Sequence, residues 1–167
     1  MNSLKELLES GFGKAEYYTD NERKLYGDVN MNCCERILYG ANRAYNLGLK
    51  KEDMRIASAF GGGMGVGTVC GAISGSLMVL GLLYSGKLEK ETALKADITI
   101  PFLKKVKKKQ GSLNCRYNKA HYAIREPVFD CSAVILSLAE CLDETVASIN
   151  GSYTFFCNSS VLNEKVE

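Results

Sequence analysis

The chain has 167 residues, a length that favours one domain with a hydrophobic core of its own. Its hydrophobic fraction of 46% fits a globular protein, and its formal net charge of +2 excludes a protein that binds nucleic acid through bulk charge. The longest mostly apolar run, residues 72–84, is about 13 residues long, whereas a helix that crosses a bilayer needs roughly 20. With no apolar segment typical of a signal peptide near the N-terminus, we expect a cytoplasmic protein without a membrane span.

Helix signals recur along the chain and predict an all-α fold. Only two prolines are present, and Leu, Ala, Lys and Glu are frequent, which favours helix over sheet. Apolar residues at three-to-four spacing and capping residues predict helices over the ranges 3–10, 33–48, 51–60, 69–84 and 127–149. The more polar ranges 14–26 and 88–109 are also interpreted as helices. Pro101 predicts a break or kink in the range 88–109, near Thr99. Residues 111–126 are predicted to be a loop or a short helix.

We interpret this pattern as one domain, residues 1–150, built as a bundle of about six helices. Asn150 and Gly151 form a turn signal after the last predicted helix. The C-terminal tail, residues 151–167, alternates too weakly to predict either strand or coil. No repeat with a period of about 20 to 50 residues divides the chain.

A glycine-rich loop leads into a central helix of small residues. Residues 61–67 contain five glycines, a density that indicates backbone with positive φ or in close contact with another group. Their spacing is not that of a dinucleotide-binding loop, and no lysine follows Gly67 as a phosphate-binding loop requires, so nucleotide binding is not expected. Gly71 and Gly75 give the helix a slim face, on which a neighbouring helix or a second copy in a homodimer can pack closely.

Two cysteines are predicted to lie at helix N-termini. Asn32 is a typical N-cap residue, which places Cys33 in the first turn of the helix that follows. Thr68 is predicted to cap the next such helix, which places Cys70 in its first turn. Unpaired N–H groups and the helix dipole favour an anion there and lower a thiol pKa, so we expect Cys33 and Cys70 to ionise easily.

The chain has seven cysteines, an odd and high number for a reducing compartment: Cys33, Cys34, Cys70, Cys115, Cys131, Cys141 and Cys157. Such a number indicates metal binding or redox chemistry more than structural disulfides. No CxxC pair is present, so neither a thioredoxin-type dithiol nor a local zinc ribbon is predicted. Cys141 and Cys157 are interpreted as small buried hydrophobic residues, and the single histidine, His121, as a surface or packing residue.

Three features occur together: a cysteine that opens a helix after Asn32, the stretch SAFGGGMGVGTVCGAISGSLMVLGLLYSG at 58–86, and two cysteines late in the chain. In these features the chain resembles the C_GCAxxG_C_C family of redox-active proteins, which is marked by four cysteines. Carried over position by position, the resemblance implies that these are Cys33, Cys70, Cys115 and Cys131. Cys34 stands where the family usually has a small residue, which leaves open whether Cys33 or Cys34 is the working thiol.

The resemblance implies redox activity without fixing one reaction. A related domain occurs in split-Soret cytochromes, where an iron–sulfur centre accompanies the haems, but this chain lacks CxxCH and covalent haem is not expected. Four thiolates are the ligands that an iron–sulfur cluster needs. The first hypothesis is therefore an electron carrier whose cluster is held by the four cysteines and which meets an unidentified redox partner protein.

Two alternatives stay open. In the first, the protein exchanges thiols and disulfides, with Cys70 as the low-pKa attacking thiol and Cys33, Cys115 or Cys131 as the resolving one. In the second, it is a non-catalytic helical module that binds a partner or holds zinc through its cysteines. The hypotheses of one shared site require the other three cysteines to lie near Cys70 in space.

Overall fold

The computed structural model describes residues 3–26, 30–85, 91–123 and 131–157, and over these residues the protein is all-α, as predicted. Its helices are α1 (Leu4–Glu9), α2 (Asp20–Tyr26), α3 (Cys33–Tyr45), α4 (Lys51–Met54), α5 (Gly71–Tyr84), α6 (Glu91–Ala93), α7 (Ile100–Gln110), α8 (Cys115–Ala123) and α9 (Ser132–Cys157). Short 3₁₀ turns occupy Ala15–Tyr17 and Arg55–Phe60. Across these ranges, no helix is both long enough and apolar enough to cross a membrane.

The core lies where α3 packs against α5. Helix α1 contacts both α3 and α9, and α7 contacts α9. Large side chains fully buried between these helices include Leu4, Ile37, Leu38, Ile73, Leu80, Phe102, Leu138 and Leu142. Burial of each such side chain contributes about 1.5–3 kcal/mol to the free energy of unfolding, so this core fixes the helix ends relative to one another.

The slim face of α5 is used inside the chain. A Cβ atom built on Gly75 would lie 2.7 Å from the carbonyl oxygen of Cys34 and 3.2 Å from the Cβ atom of Ile37. Only a residue without a side chain permits this approach. Helices α3 and α5 therefore touch backbone to backbone near the N-terminus of α3.

The half-buried carboxylate of Asp143 connects three helices. Asp143 of α9 accepts hydrogen bonds from the backbone N–H groups of Leu4 and Lys5 at 2.9 Å each, and from the Tyr45 hydroxyl at 2.7 Å. The N–H groups at the start of α1 lack partners within their helix, so a carboxylate there is stabilising. The contact orients α9 against α1 and α3.

The predicted start of the helix at 69–84 is wrong by two residues. Helix α5 begins at Gly71, and Cys70 is its N-cap with φ −58° and ψ 130°. Thr68 does not cap the helix, because its N–H and its hydroxyl both donate to the carbonyl oxygen of Gly63, at 3.2 Å and 3.1 Å. Those bonds close the glycine loop instead.

The start of the last helix also differs from the prediction. Helix α9 begins at Ser132, so Cys131 precedes the helix rather than lying within it. Cys131 has a φ of 60°, a left-handed conformation that an α-helix excludes. The predicted first helical residue, Pro127, lies outside the described residues.

The predicted turn at Asn150-Gly151 is wrong. Helix α9 passes through both residues and ends at Cys157. A two-residue turn signal is weak against the continuing hydrogen bonds of a long helix. Of the predicted tail, residues 151–157 are therefore helical, and residues 158–167 lie outside the described part of the chain.

Pro101 does not break its helix, but the helix changes from π to α geometry at Thr99, where the irregularity was predicted. Thr99 and Ile100 keep right-handed helical backbone, at φ −64°, ψ −49° and φ −66°, ψ −47°. A π-helical segment, Leu94–Thr99, precedes α7, and Pro101 stands in the first turn of α7. Its missing N–H is tolerated there because the first N–H groups of an α-helix have no intrahelical partner.

Candidate functional site

One cavity of about 470 Å³ lies among the N-terminal ends of α3, α5, α8 and α9. Four cysteines line it, each from a different part of the chain: Cys33, Cys70, Cys115 and Cys131. These are the four positions that the family resemblance implied. The fold thus brings together residues that are far apart in sequence.

Cys33 is held by the cap of α3, as predicted. The Asn32 side-chain oxygen accepts hydrogen bonds from the backbone N–H groups of Cys34 at 2.9 Å and of Glu35 at 3.1 Å. The Glu35 carboxylate accepts the backbone N–H of Asn32 at 2.9 Å, which completes a capping box. Cys33 is the first residue of α3, so this box fixes its position.

A second set of hydrogen bonds joins this cap to the segment before the glycine loop. The Ser58 hydroxyl donates to the Glu35 carboxylate at 2.6 Å, and the Asn32 side-chain amide donates to the carbonyl oxygen of Ser58 at 3.0 Å. The cap therefore holds both Cys33 and the chain that runs into the glycine loop.

Cys70 and Cys115 are placed by a short antiparallel pairing of backbone. Val69 and Asn114 form an isolated β-bridge. The N–H of Cys70 donates to the carbonyl oxygen of Leu113 at 3.0 Å, and the N–H of Cys115 donates to that of Thr68 at 2.6 Å. Cys70 and Cys115 are both 4% exposed, so the pairing buries the two thiols at one wall of the cavity.

Two glycines leave room for the thiols. A Cβ atom on Gly71 would lie 2.6 Å from the Sγ atom of Cys33 and 2.5 Å from the carbonyl oxygen of Phe60. Gly63 has a φ of +66°, and a Cβ atom on it would lie 2.7 Å from the Cβ atom of Cys115. Any side chain at either position would displace a cysteine of the cavity.

Cys131 is held in a strained conformation. Its φ of 60° is rare for a residue other than glycine, and its side chain is half-buried at the cavity. Its carbonyl oxygen accepts the N–H of Ile135 at 2.9 Å, so it stands directly before the first turn of α9. Strain of this kind persists where the surrounding structure holds the residue, and it is frequent at functional sites.

The buried thiols of the cavity resist ionisation. Burial, and then the neighbouring Cys33 thiol, raise the pKa of Cys131 to about 11 and that of Cys115 above its usual value, while Lys119 opposes both shifts. Burial also raises the pKa of Cys70 to about 11, although the backbone N–H groups at the start of α5 act in the opposite direction. The expected low pKa of Cys70 is therefore wrong, because desolvation outweighs the helix N-terminus.

Cys34 does not line the cavity. It is fully buried, and burial, followed by the nearby Cys33, raises the pKa of its thiol to about 12. Its carbonyl oxygen faces Gly75 of α5. Of the two adjacent cysteines, Cys33 is thus the one that faces the cavity, and Cys34 belongs to the core.

The remaining candidates lie elsewhere. Cys141 is fully buried on α9, where burial raises its pKa and the nearby Lys109 opposes that shift. His121 stacks on Tyr117, with ring centroids 5.9 Å apart, and is not among the residues that line the cavity. The structure does not describe the side chain of Cys157.

Polar residues at the cavity were missed by the sequence interpretation. Arg36 is 4% exposed, and its guanidinium donates to the carbonyl oxygen of Phe12 at 3.2 Å. Asn118 is 1% exposed, and its side-chain oxygen has no hydrogen-bond partner among the described residues. Arg36 follows Cys33 by three residues, and Lys119 follows Cys115 by four, so helical spacing from the cysteines would have indicated both.

The thiols surround a space rather than a point. Within the described ranges, no three Cys, His, Asp or Glu side chains are gathered closely enough to hold a single metal ion. The four thiols are soft donors, which suit iron–sulfur clusters, zinc and other thiophilic metals.

A model of one protein family, described as "Putative redox-active protein (C_GCAxxG_C_C)", matches residues 31–145 of the chain. This range contains all four cysteines that line the cavity. Neither the comparison with curated proteins nor the comparison with solved structures found a match.

Proposed function

Because the chain belongs to the C_GCAxxG_C_C family of redox-active proteins, we propose that it is an electron carrier with a cysteine-ligated iron–sulfur cluster. The cluster ligands would be Cys33, Cys70, Cys115 and Cys131. The observation that carries this proposal is that these four residues, from four separate segments, line one cavity of about 470 Å³. Four cysteine thiolates are the usual ligand set of [2Fe–2S] and [4Fe–4S] centres.

The glycines around the cavity support this ligand set. Gly63 and Gly71 lie so close to Cys115 and Cys33 that a methyl group on either would occupy the space of the thiol-bearing side chain. The two glycines thus allow Cys33 and Cys115 to take their places at the cavity. The buried polar oxygen of Asn118 at the same cavity wall is further support, since an unsatisfied acceptor there is costly without a bound group or water.

The size of the cavity favours a cluster over the zinc-holding module. A tetrahedral zinc ion with bonds of about 2.3 Å would draw its sulfurs to within about 3.8 Å of one another. A cluster of several irons holds its cysteines further apart. The four thiols line a cavity of about 470 Å³, which has room for a group larger than one ion.

A bound cluster would supply transfer of one electron at a time. The chain's own residues provide the ligands, keep water from Cys70 and Cys115, which are 4% exposed, and hold the backbone in place through the Val69–Asn114 pairing. The raised pKa of Cys70 and Cys131, about 11 in each case, keeps both thiols protonated at neutral pH in the metal-free chain. Metal binding would therefore release protons from them.

The same pKa values count against the thiol–disulfide alternative. Attack on a disulfide requires a thiolate and access to it. With a pKa of about 11, Cys70 is almost entirely a protonated thiol at neutral pH, and with 4% exposure it is hardly accessible to a disulfide.

The test is anaerobic purification with assays for iron and acid-labile sulfide. We expect a brown protein, with both contents lost in Cys70→Ala. Cys141→Ala is the matched control, since Cys141 is equally buried but lies outside the cavity, and it should keep both. A colourless protein that takes up no iron and sulfide on anaerobic reconstitution would contradict the proposal.

A further inference from the structure

The glycine loop exposes apolar side chains beside the cysteine cavity. Met64, Val66 and Val69 are 44%, 62% and 41% exposed. No charged residue occurs in the sequence from Phe60 to Ser85. These three residues and the nearby Arg116 are called the loop face below.

The loop is built to hold Met64 outward. Met64 has a φ of 58° and a ψ of 35°, a left-handed conformation that is an outlier for a large residue. The flanking Gly63 and Gly65 also have positive φ, at 66° and 73°. Strain of this kind, at a large apolar side chain that stays 44% exposed, is typical of a site where the side chain contacts another molecule.

The loop face is the outer side of the backbone that forms the cavity wall. Gly63, directly before Met64, contacts Cys115 so closely that its Cβ atom would lie 2.7 Å away from that of the cysteine. Val69 directly precedes Cys70, and the carbonyl oxygen of Thr68 accepts the N–H of Cys115 at 2.6 Å. A molecule that covers the loop face therefore approaches the buried thiols.

The rim of this face is positively charged. The Arg116 side chain lies across Gly67, with its Cγ atom 2.6 Å from a Cβ atom built there. It is exposed and forms no ion pair with the residues that the structure describes. Lys119 lies one helical turn further on the same side of α8, and α8 contains no Asp or Glu.

We propose that the loop face is the docking surface for a small acidic electron-transfer protein. The proposal rests on the proposed function. An apolar centre that excludes water and an arginine at its edge that pairs with carboxylates are the features that such a docking surface needs. In the complex the partner's centre would lose one electron and the cluster of this protein would gain it, with no bond made or broken.

The test uses an acidic [2Fe–2S] ferredoxin as the probe and a basic cytochrome c as the probe of opposite charge. Binding to the holoprotein is measured by titration calorimetry at low and high ionic strength. We expect ferredoxin to bind more tightly than cytochrome c. Arg116→Glu should weaken ferredoxin binding about tenfold at low salt and much less at high salt, because salt screens exposed charges.

Two further variants separate contact from charge. Met64→Gly removes the side chain and suits the positive φ of 58°, so it should fold and still weaken binding about threefold. Lys108→Glu is the charge-matched control, an exposed residue of α7 whose substitution changes the net charge by the same amount, and it should have less than a twofold effect.

The proposal is overturned if Arg116→Glu and Lys108→Glu weaken binding equally, or if cytochrome c binds as tightly as ferredoxin. It is also overturned if the loop-face variants change only self-association, measured by sedimentation, because the occupant is then a second copy. Iron and sulfide assays of each variant keep the two proposals apart. Ferredoxin binding by a protein without a cluster would support the docking surface and contradict the electron-carrier proposal.

Discussion

The Sγ atom of Cys33 lies directly against the backbone of Gly71, 2.6 Å from where a Cβ atom of that residue would be. The carbonyl oxygen of Phe60 lies 2.5 Å from the same point, so a side chain would meet both a thiol and a fixed backbone atom. This contact explains why the residue after Cys70 is a glycine. It also couples the start of α5 to the start of α3 through the site itself.

Gly71→Ala should therefore damage both the site and the fold. Because the Phe60 carbonyl belongs to the backbone, we expect a loss of about 1–3 kcal/mol in the free energy of unfolding, measured by urea denaturation. Iron bound after anaerobic reconstitution should fall in the same variant. Gly81→Ala in the same helix is the control, since nothing lies within 4 Å of its Cβ position. That variant should gain about 0.5–1 kcal/mol and keep its iron. Equal behaviour of the two variants would refute the steric argument.

Substitutions of Cys131 should separate its thiol from its backbone. With φ at 60°, alanine at this position keeps the strain and glycine relieves it. We expect metal-free Cys131→Gly to be more stable to urea than Cys131→Ala by about 1 kcal/mol, within the cost of about 1–2 kcal/mol for a left-handed residue with a side chain. Both variants should lose iron. An alanine variant as stable as the glycine variant would show that Cys131 is not strained.

The cap of α3 should matter to the site as well as to stability. Asn32→Ala removes the acceptor for two N–H groups and the bond to Ser58, so we expect a loss of about 1–2 kcal/mol together with weaker iron retention in the presence of a chelator. Ser3→Ala removes the corresponding cap of α1, which lies away from the cavity. It should cost about 1 kcal/mol and leave iron retention unchanged. Loss of iron from both variants to the same extent would mean that iron retention follows global stability alone.

The metal-free protein should lose stability as the pH rises above about 8.5, the ordinary pKa of a cysteine. Cys34 and Cys70, with pKa values of about 12 and about 11 in the folded chain, hold their protons there while the unfolded chain has released them. The stability that these two thiols contribute is complete below the thiol pKa of the unfolded chain. It is lost as the pH rises toward the thiol pKa of the folded chain, by up to about 1.4 kcal/mol per pH unit for each thiol. Urea denaturation under anaerobic reducing conditions at pH 7.5, 8.5 and 9.5 measures the slope.

Cys34→Ala provides the control for that slope. The variant has a lower stability at every pH, because Cys34 is fully buried, but its stability should fall less steeply above pH 8.5. A free energy of unfolding that is constant or rises from pH 8.5 to 9.5 in the original chain would contradict the raised thiol pKa values.

Local signals predicted part of the site, and tertiary contacts fixed the rest. Asn32 and Glu35 form a capping box within four residues of chain, so the position of Cys33 could be predicted. Gly71 and Gly75 predicted a close helix contact, and α3 makes it. The pKa of Cys70 could not be predicted in the same way, because it depends on burial by residues distant in sequence.

The family resemblance supplied what local signals could not. No pattern around Cys115 or Cys131 indicates that either meets Cys70, since one is joined through the Val69–Asn114 pairing and the other through the docking of α9. The start of α9 was misplaced for a related reason. The three-to-four spacing of apolar residues continues through Cys131 without interruption. Only the backbone φ of Cys131, which tertiary structure sets, excludes this residue from the helix.

The pairing between residues 68–70 and 113–115 is made of main-chain atoms alone. Substitution of a side chain leaves such bonds in place, and only proline removes the N–H that either cysteine donates. Most amino-acid changes near Cys70 and Cys115 should therefore leave the distance between these two residues unchanged. The exposed side chains of the loop can change while these two thiols keep their mutual position.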